Sequence, residues 1–125
     1  MISRTLRILA MLAAITMPLS VFAAKEPIYI NLATNDPAKV LMALDAGRQY
    51  AEKGHPIVIY LNDKAVFLGV VEVKGRATKI QEALQAAIAN GAVVNICPSC
   101  LDAHGLLNRQ LVQGVITGDP HRELH

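Results

Sequence analysis

Apolar and polar residues alternate between two periods along most of the chain, and the switches between them predict its elements. The run Ile28 to Ala33 (I-Y-I-N-L-A) is short, apolar-rich and suited to a buried strand. Thr34-Asn35-Asp36-Pro37 then predicts a helix start, with Asp36 as N-cap and Pro37 at the first helical position. Val40, Ala43, Leu44, Gly47 and Ala51 follow at helical spacing, and Gly54 is the stop. After Pro56 comes I-V-I-Y-L, which lacks alternation and so predicts a strand buried on both faces, as in a parallel sheet.

Asn62-Asp63-Lys64 reads as a loop at the carboxyl end of that strand. The next run, A-V-F-L-G-V-V-E-V, is apolar enough for either a short helix or an extra strand, with Gly69 inside it. Thr78 with Gln81 three residues on predicts a capping box. Ile80, Leu84, Ala87 and Ile88 form the buried stripe of the helix it opens, which Gly91 ends. Ala92 to Ile96 (A-V-V-N-I) is a third strand. Ser99 with Asp102 predicts another capping pair on a short helix stopped by Gly105, and Gln113 to Thr117 a last short strand.

This order predicts a three-layer α/β fold of flavodoxin-like type, a mainly parallel sheet with helices on both faces joined by right-handed crossovers. Active groups in such folds collect at the carboxyl ends of strands. Cys97-Pro98-Ser99-Cys100 falls at one such end, and Thr34-Asn35-Asp36 and Asn62-Asp63 at two others.

The N-terminus changes the account of charge and domain size. A basic opening with Arg4 and Arg7 leads into an apolar stretch interrupted by Pro18, and Val21-Phe22-Ala23 puts small residues at −3 and −1 of a cleavage site. That is the pattern of a secretory signal peptide over residues 1–23, cleaved after Ala23. The apolar run is shorter than the roughly 20 residues that span a bilayer, so no membrane association is expected after cleavage. Residues 24–125 would then be one domain with one core, in the periplasm or secreted. The whole chain carries 12 Lys+Arg against 10 Asp+Glu. Without Arg4 and Arg7 the signs balance, so the basicity belongs to export and nucleic acid is not an expected partner.

The chain has two cysteines, three positions apart, in N-I-C-P-S-C-L-D-A-H-G-L. A clip closing so small a loop would contribute only roughly 2 kcal/mol. Placed on a strand-to-helix turn, Cys97 leaves the strand, Pro98 fixes the turn, Ser99 caps, and Cys100 is the first helical residue. Backbone N–H groups there favour a thiolate, which makes Cys100 the candidate nucleophile and Cys97 its resolving partner. His104 lies four residues on, able to pair with the thiolate or relay a proton. Three readings stay open at this point: thiol-redox or sulfur-transfer chemistry with no cofactor, a Cu or Zn ion held by Cys97, Cys100 and His104, and a structural clip. The tail H-R-E-L-H has its Glu misplaced for a zinc-protease helix, and Leu101 stands where haem attachment needs His. The residues show no phosphate loop and no serine triad.

The segment V-N-I-C-P-S-C-L-D-A-H-G-L with L-V-Q-G-V resembles the DsrE/DsrF-like (YchN-like) family. So do I-N-L-A-T-N-D-P and H-P-I-V-I-Y-L-N-D-K. The resemblance spans roughly residues 27 to 118 and implies a DsrE-like α/β fold. It also implies a homo-oligomer (dimer, trimer or hexamer) and, in several members, a sulfur relay in which one cysteine after the third strand carries a persulfide. Cys100 matches that position, and the implied partner is a sulfur donor or acceptor, either a protein or a small thiol. Ser99, Asn35, Asp36, Asn62, Asp63 and His104 are the auxiliary candidates. Two departures stand out. Related chains carry an arginine where this one has His104, and they continue past G-V-I-T-G to a further strand where this one ends G-D-P-H-R-E-L-H. The expectation is either a sheet one strand shorter, its edge exposed or covered by a partner, or a shortened reading frame.

Overall fold

The computed structural model describes residues 25–71 and 78–118. The predicted signal peptide and the H-R-E-L-H tail lie outside them. Four strands, β1 (Ile28–Leu32), β2 (Ile57–Leu61), β3 (Val93–Ile96) and β4 (Val115–Thr117), lie side by side in chain order, every pair parallel. Helices α1 (Pro37–Glu52), α2 (Thr78–Ala89) and α3 (Pro98–Ala103) fill the three crossovers, and a 3-10 helix (Asp63–Gly69) follows β2. No described helix is long and apolar enough to cross a membrane.

Local chemistry explains the elements. The Asp36 carboxylate accepts the Lys39 N–H at 3.0 Å, with Pro37 in the first turn, as predicted. Beyond α1, Gly54 takes φ +91, and Val40, Leu44 and Gly47 are its buried face. A methyl group at Gly47 would come within 2.8 Å of Ile30 Cδ1, so the missing side chain lets α1 sit close on the sheet. β2 is buried along nearly its whole length, and Leu61, Leu84, Val40 and Ile96 are fully inaccessible in the core.

The register puts Ile57, Ile59 and Leu61 on one face of β2, beside Val94 and Ile96 of β3. The described helices gather there. α1 and α2 pack on one another over Ile57 and Ile59. The 3-10 helix approaches through Gly69, where a methyl would meet Ile96 Cδ1 at 2.7 Å and Leu61 Cδ1 at 3.1 Å. The opposite face carries Tyr29, Asn31, Val58, Tyr60, Val93, Asn95 and Ile116. A second helical layer over it would fall outside the described residues.

The ambiguous run after β2 resolves into the 3-10 helix, so Asp63 and Lys64 open a helix instead of lying in a loop. Its Ala65, Val66 and Leu68 are buried, and Val70 then bridges to Leu111. Residues apolar on nearly every position suit a tight helix pressed against the core as well as a strand, which is why their pattern does not choose. The side chain of Thr78 lies outside the description. The Gln81 side-chain amide donates to the Val70 carbonyl at 2.9 Å, tying α2 to the end of the 3-10 helix.

Candidate functional site

The carboxyl end of β3 runs directly into the cysteine turn. The Cys97 N–H still bonds the Leu61 carbonyl at 2.9 Å, extending the β2–β3 pairing one residue beyond the strand. Pro98 occupies the first position of α3, so the cap falls on the residue before it. Cys97 is extended (φ −71, ψ 113) and its Sγ accepts the Cys100 N–H at 3.2 Å. This corrects the expectation that Ser99 caps and Cys100 opens the helix. Ser99 lies inside the first turn, its Oγ 3.3 Å from Cys97 Sγ.

Cys97 and Cys100 are joined by a disulfide, Cα to Cα 5.2 Å. The two sulfurs have unlike surroundings. Cys97 is buried at 6% exposure and faces two donors, the Cys100 N–H and the Ser99 hydroxyl. Cys100 is half-buried, packed against the edge of the core. Were the bond to open, negative charge on Cys97 would be stabilised by both donors. α3 has six residues, so this stabilisation comes from two identified hydrogen bonds more than from a helix dipole.

His104 is the C-cap of α3. Its Nε2 donates to Asp63 Oδ1 at 3.1 Å, and its ring meets Phe67 edge-on with centroids 5.2 Å apart. Asp63 opens the 3-10 helix at φ +45, in the left-handed region that side chains other than glycine seldom adopt. Asn62, just before it, donates from its side chain to Asn31 Oδ1 and to the Leu32 carbonyl. The structure therefore gathers Cys97, Ser99, Cys100, His104, Asp63 and Asn62 on the sheet's carboxyl rim. Asn35 is exposed, and Asp36 is engaged in capping α1. As for the metal alternative, Cys97 and Cys100 are bonded to each other and His104 to Asp63. Among the described residues no three His, Cys, Asp or Glu side chains form a group that could hold an ion.

Three residues of this region escaped sequence reasoning. Phe67 and Asn31 carry no local signal for their roles. Asn95 does: strand alternation puts it two residues before Cys97 on the same face. It is buried at 1% exposure, with no hydrogen-bond partner for either side-chain atom among the described residues.

The model of the DsrE/DsrF-like family matches residues 9–120, nearly the whole chain. The chain belongs to the DsrE/DsrF-like family. Among solved structures it is similar to the YchN protein from E. coli, with 25% identity and a TM-score of 0.63 over 77% of this chain and 85% of that one. No curated protein matches the chain. The DsrE/DsrF-like assignment agrees with the parallel α/β sheet and with the motif resemblance around Cys100. In this DsrE/DsrF-like chain the rim holds a disulfide flanked by a histidine–carboxylate pair.

Proposed function

We propose that this is an exported DsrE-like sulfur carrier in which Cys100 bears a persulfide and Cys97 resolves it. The supporting observation is the asymmetry of the pair: one half-buried cysteine, and one buried cysteine whose sulfur has two donors for its charge. Family membership makes sulfur relay the natural use of such a pair. Hydrosulfide attacks Cys100 Sγ, the Cys97–Cys100 bond breaks, and Cys97 leaves as a thiolate. The incoming sulfur is oxidised to the persulfide level as the Cys97 sulfur is reduced. In reverse, the Cys97 thiolate attacks Cys100 Sγ, closes the disulfide and expels hydrosulfide. Alternatively an acceptor thiolate takes the outer sulfur and leaves Cys100 as a thiolate. That thiolate is recharged by attack on the outer sulfur of a donor persulfide or polysulfide, with no other oxidant needed.

The test is mass spectrometry of reduced protein exposed to polysulfide. Cys97→Ser retains one added sulfur on Cys100, and Cys100→Ser retains none. Sulfur found on Cys97 alone, or on neither residue, overturns the reading. The same spectra report whether the chain begins after Ala23, as export with signal cleavage requires. Under native conditions they also give the subunit count of the homo-oligomer that belongs to this proposal. Exposed Tyr29 and Ile116 on one sheet face are in keeping with such an assembly.

A further inference from the structure

We propose that His104, held by Asp63, takes the proton from an incoming neutral thiol as that thiol attacks Cys100, so that the site accepts protonated alkyl thiols and not only preformed thiolates. This rests on Cys100 being the sulfur attacked, and it adds the class of nucleophile and the group that receives its proton.

Three observations carry it. An ionised carboxylate only accepts, so the contact at 3.1 Å places the hydrogen on His104 Nε2 and leaves Nδ1 with its lone pair. Among the described residues no hydrogen bond occupies Nδ1. His104 caps the helix four residues after Cys100, and its N–H donates to the Cys100 carbonyl at 3.0 Å, which stacks the two residues one turn apart. Finally, the carboxylate is presented from a residue at φ +45, a conformation that costs roughly 1–3 kcal/mol and persists where its surroundings impose it. The edge of Phe67 restricts the imidazole from the other side. The charged residues on the two elements that meet here are Asp63 and Lys64 on the 3-10 helix and Asp102 on α3. Of these, the Asp63 carboxylate is the one on the ring.

The step balances. A thiol R–SH gives its proton to His104 Nδ1 and its sulfur bonds to Cys100 Sγ. The Cys97–Cys100 bond breaks, and its electron pair leaves on Cys97. The products are a mixed disulfide on Cys100, a Cys97 thiolate held by the Cys100 N–H and the Ser99 hydroxyl, and an imidazolium paired with Asp63.

The experiment measures opening of the disulfide at about pH 6.5, well below the ordinary thiol midpoint of about 8.5. The freed Cys97 is trapped with iodoacetamide and the site of the mixed disulfide is mapped by mass. Two probes are compared: mercaptoethanol, almost wholly protonated there, and thionitrobenzoate, already a thiolate. His104→Gln slows mercaptoethanol by about 100-fold, the low end of the usual range for a lost general base, and leaves thionitrobenzoate within about 2-fold. Asp63→Asn, a change at a positioning residue, slows mercaptoethanol less with the same selectivity. Equal slowing of both probes, or of neither, in both variants overturns the proposal. A mixed disulfide mapped to Cys97 in the wild type overturns the Cys100 reading instead, so the two failures are distinguishable.

Discussion

Strand β2 and the rim it runs into differ in almost every physical respect within a few residues. Ile57, Val58, Ile59 and Leu61 are buried and β-branched or branched, and from Val58 onward the strand is paired in parallel on both sides. Asn62 and Asp63, next in the chain, are polar and more accessible, and Asp63 is left-handed. The strand lowers the free energy of the fold. The rim holds a strained backbone, a small-loop disulfide and, just below it on β3, an amide with no partner among the described residues. Stability and the proposed chemistry thus fall to different residues, and substitutions in the two regions should separate along those lines.

The largest effect belongs to the core. Leu61→Ala removes a fully inaccessible side chain beneath Gly69 and lowers unfolding stability by about 2–5 kcal/mol. Denaturant titration checks this. A loss no greater than that of the rim substitutions would erase the contrast drawn here.

Next comes the disulfide. Its loop is so short that Cys97→Ser with Cys100→Ser costs only about 2 kcal/mol on the same scale. Capture of sulfur from polysulfide, by contrast, disappears altogether. A double variant that unfolds would mean that the bridge holds the rim together and is more than its reactive group.

The same division governs what the residues reveal unaided. At Asp36–Pro37 the helix start was legible, because proline prefers the first helical position and the residue before it becomes the cap. The identical rule applies at Cys97–Pro98. It was overridden there by the strong capping preference of serine, which moved the expected cap two residues along to Ser99. β2 was legible because unbroken burial and β-branching agree. The run after it was not, because nearly every position is apolar and no period emerges. The pairing of His104 with Asp63 spans 41 residues and leaves no local trace; Asp63 entered the candidate set at a strand end and His104 through its spacing from Cys100. Asn95 was readable by alternation from Cys97, yet its burial depends on what surrounds the strand, not on the strand.

A smaller effect, opposite in sign, is expected at Asp63→Gly. Glycine adopts φ +45 freely, so relief of backbone strain should raise stability by about 1 kcal/mol after loss of the exposed carboxylate contact. Opening of the disulfide by mercaptoethanol should slow at the same time. A variant that gains stability and loses rate places the strain in the service of the site. One that loses both makes Asp63 a structural residue.

The smallest effect tests a third region, the solvated outer face of α1, which is neither core nor rim. Asp45 is held below its ordinary carboxylate range by a hydrogen bond from Arg48, with Gln49 and the charge of Arg48 adding to it. Arg48 also bonds Glu52 one turn on. The sign follows from the lowered folded value: Asp45 favours the fold at pH above about 4, the unfolded midpoint, and this contribution is lost as pH falls through the folded value. Asp45→Asn should therefore leave neutral-pH stability almost unchanged and slightly flatten its fall in acid. The difference should shrink further in about 1 M salt, because the group is fully exposed and screened. Acid titrations of folding in low and high salt check this. An effect at Asp45 as large as that of the disulfide would show that the surface of α1 is coupled to the core and is not merely solvated.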